Sequence, residues 1–204
     1  MKNLRLLLFA GLSIFMVIII SCGTSSRTVD RISTDEVTDL SGRWNDTDSR
    51  LVAEQMIKDL TFRPWLTDFI LESDRKPVVI VGTVRNLSSE HIQTDIFIKD
   101  IERELINSGK VKFVATSKER TEIRDERTDQ QSYSSDETAK ALAQETGADF
   151  MLKGVINSTT DSIEGKSAVF YQVDLELINV ESNEKVWIGT KEIKKFITKA
   201  KTKW

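Results

Sequence analysis

The apolar positions change period several times along the chain, and each period predicts an element. Residues 6–20, LLLFAGLSIFMVIII, form an unbroken apolar run of 15 residues. Residues 23–43 are polar and read as a tether. From about Asn45 the apolar positions Leu51, Val52, Met56, Ile57 and Leu60 recur at helical spacing, with an Asp as the expected N-cap. Pro64-Trp65 interrupts that stripe, and residues 65–71 read as a short helical turn. Residues 77–84, PVVIVGTV, are rich in β-branched residues and suit a central strand covered on both faces.

A helix is predicted over 95–107, with Phe97, Ile98, Ile101 and Leu105 inward and Lys99, Asp100, Glu102 and Arg103 outward. Gly109 sits where a C-terminal cap belongs, and 111–115 is a second strand. Strand, helix and strand with short links form a βαβ unit, so the two strands should be parallel. Residues 117–130 read as a charged helix. Ser134-x-x-Glu137 is a capping box opening a further helix with Ala139, Leu142 and Ala143 on one side, closed by Gly147.

Residues 150–158 supply a third strand. In 169–178 the apolar set Val169, Tyr171, Val173, Leu175 and Leu177 alternates with more polar positions, the mark of a half-buried antiparallel strand. Residues 181–184 turn the chain, and 185–194 return as the hairpin partner. The pattern predicts one α/β (α+β) domain over 45–197, a mixed sheet of four to five strands flanked by helices. The predicted order is α-β-α-β-α-α-β-β-β.

Composition sharpens the N-terminal reading. The 204 residues are 39% hydrophobic and 30% charged, with net charge -3, one cysteine and one histidine. Without residues 1–21 the balance is 27 basic to 32 acidic side chains. This mildly acidic chain gives no basic footprint for nucleic acid. A lone cysteine excludes an internal disulfide, and a Cys/His metal cluster is not available.

That cysteine follows Ile19-Ile20-Ser21, after Lys2, Arg5 and an apolar run too short for the roughly 20 residues a spanning helix needs. Ile19-Ile20-Ser21-Cys22 resembles a bacterial lipobox. We therefore expect a lipoprotein signal peptide over 1–21 and lipid attachment, diacylglycerol and palmitate-type chains, at Cys22. Residues 22–44 would be the lipidated cysteine and tether, and 198–204 a basic tail. Gly23, where an Asp would signal inner-membrane retention, favours the outer membrane. An ordinary secretory signal with an incidental cysteine, or an uncleaved membrane helix, are the alternatives.

No residue pattern in the sequence picks out a catalytic site. His91 lies in a polar loop and has no nearby Cys to form a nucleophile pair. Glu119, Glu122, Asp125, Glu126 and Asp129 interleave with Lys118, Arg120, Arg124 and Arg127, the pattern of a solvated helix. Gly82 and Gly154 fall inside strands, where a bulge or close packing explains them. Lys194, Lys195, Lys199, Lys201 and Lys203 read as a frayed basic end, or as a contact for an acidic surface. Trp44, just ahead of the first helix, either staples the chain entry or stands as a contact anchor. The expectation is a non-enzyme without metal or cofactor.

From Asp39 to Lys195 the chain resembles the LpoB-like lipoproteins, activators of class A penicillin-binding proteins. The stretches that carry this are DLSGRWNDTDSR (39–50), the strand from Pro77 to Asn86 with VGTVRN, and IERELINSG (101–109). To these add Phe113-Val114, residues 139–152 with Thr146-Gly-Ala-Asp149, and LINV (177–180) through Lys185-Val-Trp187. The resemblance implies a fold similar to the N-terminal domain of TolB. It also implies docking on an accessory domain of a bifunctional peptidoglycan synthase, raising its output, with no nucleic acid and no small-molecule substrate. The enterobacterial members carry a long Pro-rich tether. Here it is about 20 residues without Pro, which places the partner close to the membrane that holds Cys22. The alternative role is an interaction module of another envelope assembly or secretion complex.

Overall fold

A computed structural model describes residues 27–34, 36–132 and 147–198. The signal segment 1–21, Cys22 and the helix predicted from Ser134 lie outside the described residues, as does the tail from 199 on. The chain divides into two compact units, Met1–Glu36 and Val37–Trp204. In the first, the described residues are exposed and hold no helix or strand. The second carries all the helices and strands described below, and its residues 38–43, ahead of the first helix, are bonded to the rest of it.

Helix α1 (Asp46–Leu60) opens with a reciprocal capping box. Asn45 Oδ1 accepts the Asp48 N–H at 3.1 Å, and Asp48 Oδ2 accepts the Asn45 N–H at 2.9 Å. The cap is therefore Asn45 and not an Asp, because Asp48 occupies the return position usually held by Glu. Val52, Ala53, Met56, Ile57 and Leu60 are buried, whereas Leu51 lies off the stripe and is 43% exposed. The expected turn after Pro64 is a ten-residue helix, α2 (Pro64–Ser73). Pro64 suits its first turn, where no N–H is needed. The Trp65 indole donates to the Leu60 carbonyl at 2.8 Å, and Trp65 and Phe69 both meet Phe150 edge-on.

Strand β1 (Val78–Asn86) is buried at four consecutive positions from Val78, as a doubly covered strand should be. Helix α3 (Thr94–Asn107) buries Phe97, Ile101 and Leu105. Glu102, expected outside, is 5% exposed. Lys99 Nζ reaches its Oε2 at 2.7 Å and supplies the charge that lets the carboxylate sit inward. Strand β2 (Lys112–Phe113) is shorter than expected and pairs parallel to β1, completing the βαβ unit. Helix α4 (Ser117–Ser132) follows.

The last three strands, β3 (Phe150–Ile163), β4 (Lys166–Asn179) and β5 (Lys185–Thr198), are each 14 residues long. They form a meander, β3 with β4 and β4 with β5 antiparallel, while β3 runs parallel to β1. Strands β3 and β5 run past their expected ends. The two-residue turn Glu164-Gly165, with Gly165 at φ +74°, keeps β3 and β4 in register to their tips. The order across the sheet is β2-β1-β3-β4-β5. This is the expected mixed α/β sheet of five strands, with four helices among the described residues. The alternation in β4 holds throughout: Val169, Tyr171, Val173, Leu175 and Leu177 all point into the core. Among the described residues no helix is long and apolar enough to cross a membrane.

Candidate functional site

Residues 38–48 and the end of β5 meet in one polar cluster built around a buried cation. Lys195 is 8% exposed. Its ammonium donates to Asp39 Oδ1 at 2.6 Å, Asp48 Oδ2 at 2.6 Å and the Arg43 carbonyl at 3.0 Å. All three of its donors are used. Asn45 Nδ2 donates to the Thr38 carbonyl and to Asp39 Oδ1, both at 2.9 Å, so the same residue caps α1 and holds the incoming chain. Gly42 adopts φ +70° with its Cα facing the Ile197 side chain, where no Cβ fits.

Trp44 resolves toward the core side of its two readings. Its ring meets Tyr171 and Phe97 edge-on, with centroids at 5.6 and 6.1 Å, and its indole N–H donates to Ser49 Oγ at 2.8 Å. Glu90 closes the cluster from the loop after β1. Its carboxylate accepts the Tyr171 hydroxyl at 2.8 Å and the Trp44 N–H at 3.2 Å.

The electrostatics of this cluster are those of a lock. Burial alone would pull the Lys195 ammonium down, but the Asp39 and Asp48 carboxylates outweigh it and hold it above the ordinary lysine value. Lys195 in turn holds the Asp39 carboxyl below its usual range, against the opposing effect of burial. Burial, reinforced by the Glu90 charge, pushes the Tyr171 phenol well up. A nucleophilic or basic lysine needs a lowered pKa and a free lone pair. Lys195 has neither; its three bonds tie the entering chain to α1 and β5. Lys195 thus belongs to the fold, not to the basic tail in which the sequence pattern placed it.

The other sequence-marked positions stay apart. His91 is exposed in its loop. Glu119 is held down at about 2 by Lys99, 2.7 Å away, with further help from Thr116 at the start of α4. Gly154 packs closely against Leu175, whereas Gly82 lies in the register shift of β1 against β3 between Val81 and Val84, with Met151 beside it. Among the described residues no three His, Cys, Asp or Glu side chains gather as a metal site would require. The sheet face that carries Arg85, Lys153, Asp174 and Glu176 has a shallow depression of about 430 Å³. Its charges are of both signs, and Glu176 is already paired with Lys185 at 2.8 Å.

The family model described as peptidoglycan-synthase activator LpoB matches residues 48–193, more than half of the chain. The chain belongs to the LpoB family. The match runs from the capping residue Asp48 in α1 to Ile193 in β5 and so spans all the described strands but the last residues of β5. The chain is similar in structure to the C-terminal domain of LpoB from Escherichia coli, at 15% identity over 72% of this chain and 98% of that one, with a TM-score of 0.43. It is also similar to the LpoB C-terminal domain from Salmonella enterica, at 17% identity over 64% and 93%, TM-score 0.36. A third likeness is to lipoprotein GNA1162 from Neisseria meningitidis, at 14% identity over 62% and 88%, TM-score 0.38. No curated protein matches the chain.

Proposed function

We propose that this chain is a lipoprotein, anchored through Cys22 in the outer membrane with its domain in the periplasm, that binds a class A penicillin-binding protein and raises its output. The observation that supports this is the family match over 48–193. The protein acts as a binding partner and not as an enzyme. It activates the synthase by binding its active conformation more tightly than its resting one, since a ligand shifts an equilibrium only by its differential affinity. Residues 1–21 are the signal peptide, and the Cys22 thiol carries the diacylglycerol. More than one acyl chain gives a stable anchor, each buried methylene contributing about 0.8 kcal/mol.

The test is glycan polymerisation by the cell's own class A synthases, with and without the full-length lipidated chain in detergent. Acceleration together with co-precipitation supports the activator role. Neither acceleration nor co-precipitation, with secretion or assembly components recovered instead, overturns it. Replacement of Cys22 by Ser should release the chain from the outer-membrane fraction, and continued outer-membrane residence would refute the anchor.

A further inference from the structure

The α1–α2 corner carries an aromatic side chain that the core does not use. Phe62 lies in the link between the two helices and is 72% exposed. Its backbone is nonetheless fixed, because its N–H donates to the Asp59 carbonyl at 3.0 Å. Lys110 stands over one face of the ring, Nζ 3.9 Å from the centroid, and is held there by a bond to the Thr61 carbonyl at 3.2 Å. Concavities of about 460 and 330 Å³ flank the ring. The larger is floored by Leu66 and Ile70, the smaller by Ile57.

A single exposed aromatic needs no explanation. Here three further features coincide with it. The backbone that carries the ring is fixed, and Lys110 covers one of its faces. Open concavities, lined in part by Leu66 and Ile70 on one side and Ile57 on the other, flank it. The unpaired charge is positive: Lys58, Lys76 and Lys110 have no carboxylate partner among the described residues, and Lys76 donates to the Gly109 carbonyl at 2.6 Å. Glu54 and Glu104 also line the smaller hollow, but they are paired with Arg50 and Arg103, and Asp59 is paired with Arg63. A positive patch on a chain of net charge -3 is a local feature, not a reflection of composition. By contrast, Phe196 and Ile188 on the sheet face are separated by residues of both signs.

We infer that the Phe62 corner is the docking surface of the domain, and that it fits a folded protein surface with an apolar depression rimmed by carboxylates. The inference rests on the activator reading and gives that partner a contact face. Charge complementarity sets the acidic rim. The paired hollows favour a folded partner over a membrane, since a fluid bilayer rewards apolar area and positive charge but gains nothing from concavities. A ring seated at the centre of such a contact is the kind of residue that dominates binding, and the flanking lysines govern association rate and salt dependence.

The test uses the full-length lipidated chain in detergent with the cell's own class A synthase. Phe62→Ala should weaken binding and stimulation by about tenfold or more while leaving the melting temperature unchanged. Lys76→Glu should slow association and flatten its dependence on salt. Phe196→Ala, on the opposite face, should behave as wild type. Wild-type stimulation that Phe62→Ala and Lys76→Glu both retain in full overturns this surface but not the activator role. A wild-type chain that neither binds nor stimulates overturns the activator role and this surface with it. Loss of binding to phosphatidylglycerol-containing vesicles by Phe62→Ala, with synthase binding intact, overturns it in favour of a membrane contact.

Discussion

Replacing Lys195 by Met keeps the length and the apolar stem of the side chain but removes the charge that joins β5 to the entering chain. Two carboxylates then lose their cation. They are not equal: the Asp48 side chain is 9% exposed, the Asp39 side chain 48%. Removing one partner of a buried pair costs about 3–5 kcal/mol. Water can resolvate Asp39, whose share is that of a surface pair, about 0–1 kcal/mol. Asp48 keeps its bond from the Asn45 N–H, which reduces its loss. The expected cost is about 2–4 kcal/mol, or a fall in Tm of roughly 5–15 °C for a domain of this size.

The pH dependence of that gap follows from the directions of the shifts. Asp39 is depressed in the fold, so its contribution is present above the ordinary carboxylate range and drains away as pH falls through the folded value. Lys195 is raised, so its contribution is present below the ordinary lysine range and is lost as pH rises through the folded value. The wild-type advantage should form a plateau between about pH 5 and pH 10 and shrink on both sides. Tryptophan fluorescence melts across pH read it directly, with Trp44 beside the cluster as a reporter. Adding Asp39→Asn and Asp48→Asn to Lys195→Met should recover much of the loss, because the penalty lies in uncompensated carboxylates. A Tm change below about 1 °C, a gap independent of pH, or no recovery would refute the lock.

Gly42→Ala combines a left-handed backbone with a Cβ aimed at Ile197. It should cost at least about 1–2 kcal/mol, and Ile197→Ala should give part of that back in a denaturant titration. Asp149 accepts the Val78 N–H at 2.8 Å and both Arg75 terminal nitrogens at 2.7 Å, and Arg75 holds its carboxyl low. Asp149→Ala strands the Val78 N–H at the head of β1 and should cost about 1–3 kcal/mol. Its gap to wild type should be full at neutral pH and close as acid titrates Asp149 in the wild type.

The sheet was legible because its signals are local. The alternation of Val169 to Leu177 and the β-branched run after Pro77 each needed only neighbouring residues. What escaped depends on pairings that no window contains. Lys195 sits in a lysine-rich stretch that looks like a solvated end. Its partners lie 156 and 147 residues away, and only the register of β4 with β5 turns it toward them. Glu102 looked outward because it is charged, and Lys99 one turn back overrode that. The Asn45 box was hidden by Asp48 standing where Glu is usual. Phe62 was passed over because it sits between two periodic stripes and belongs to neither. An aromatic in Thr61-Phe62-Arg63-Pro64, with no stripe to join, was the signal available.

On the activator reading, starting the folded unit at Val37 shortens the reach of the anchor. Fourteen residues separate Cys22 from Val37. Fully extended they span at most about 50 Å, and as a flexible coil roughly 20 Å. Bonds from Lys195 and Asn45 to residues 38–43 stop that stretch from contributing length. Deleting residues 24–33 would leave a maximal span of about 17 Å. Such a chain, lipidated and in mixed micelles, should stimulate the synthase as well as wild type, because nothing there limits approach. In cells it should fail to support synthase-dependent growth, and a ten-residue Gly/Ser insert at the deletion should restore it. Full function of the deleted chain in cells would mean that contact is not limited by reach, and the link between the Val37 boundary and partner access would fall.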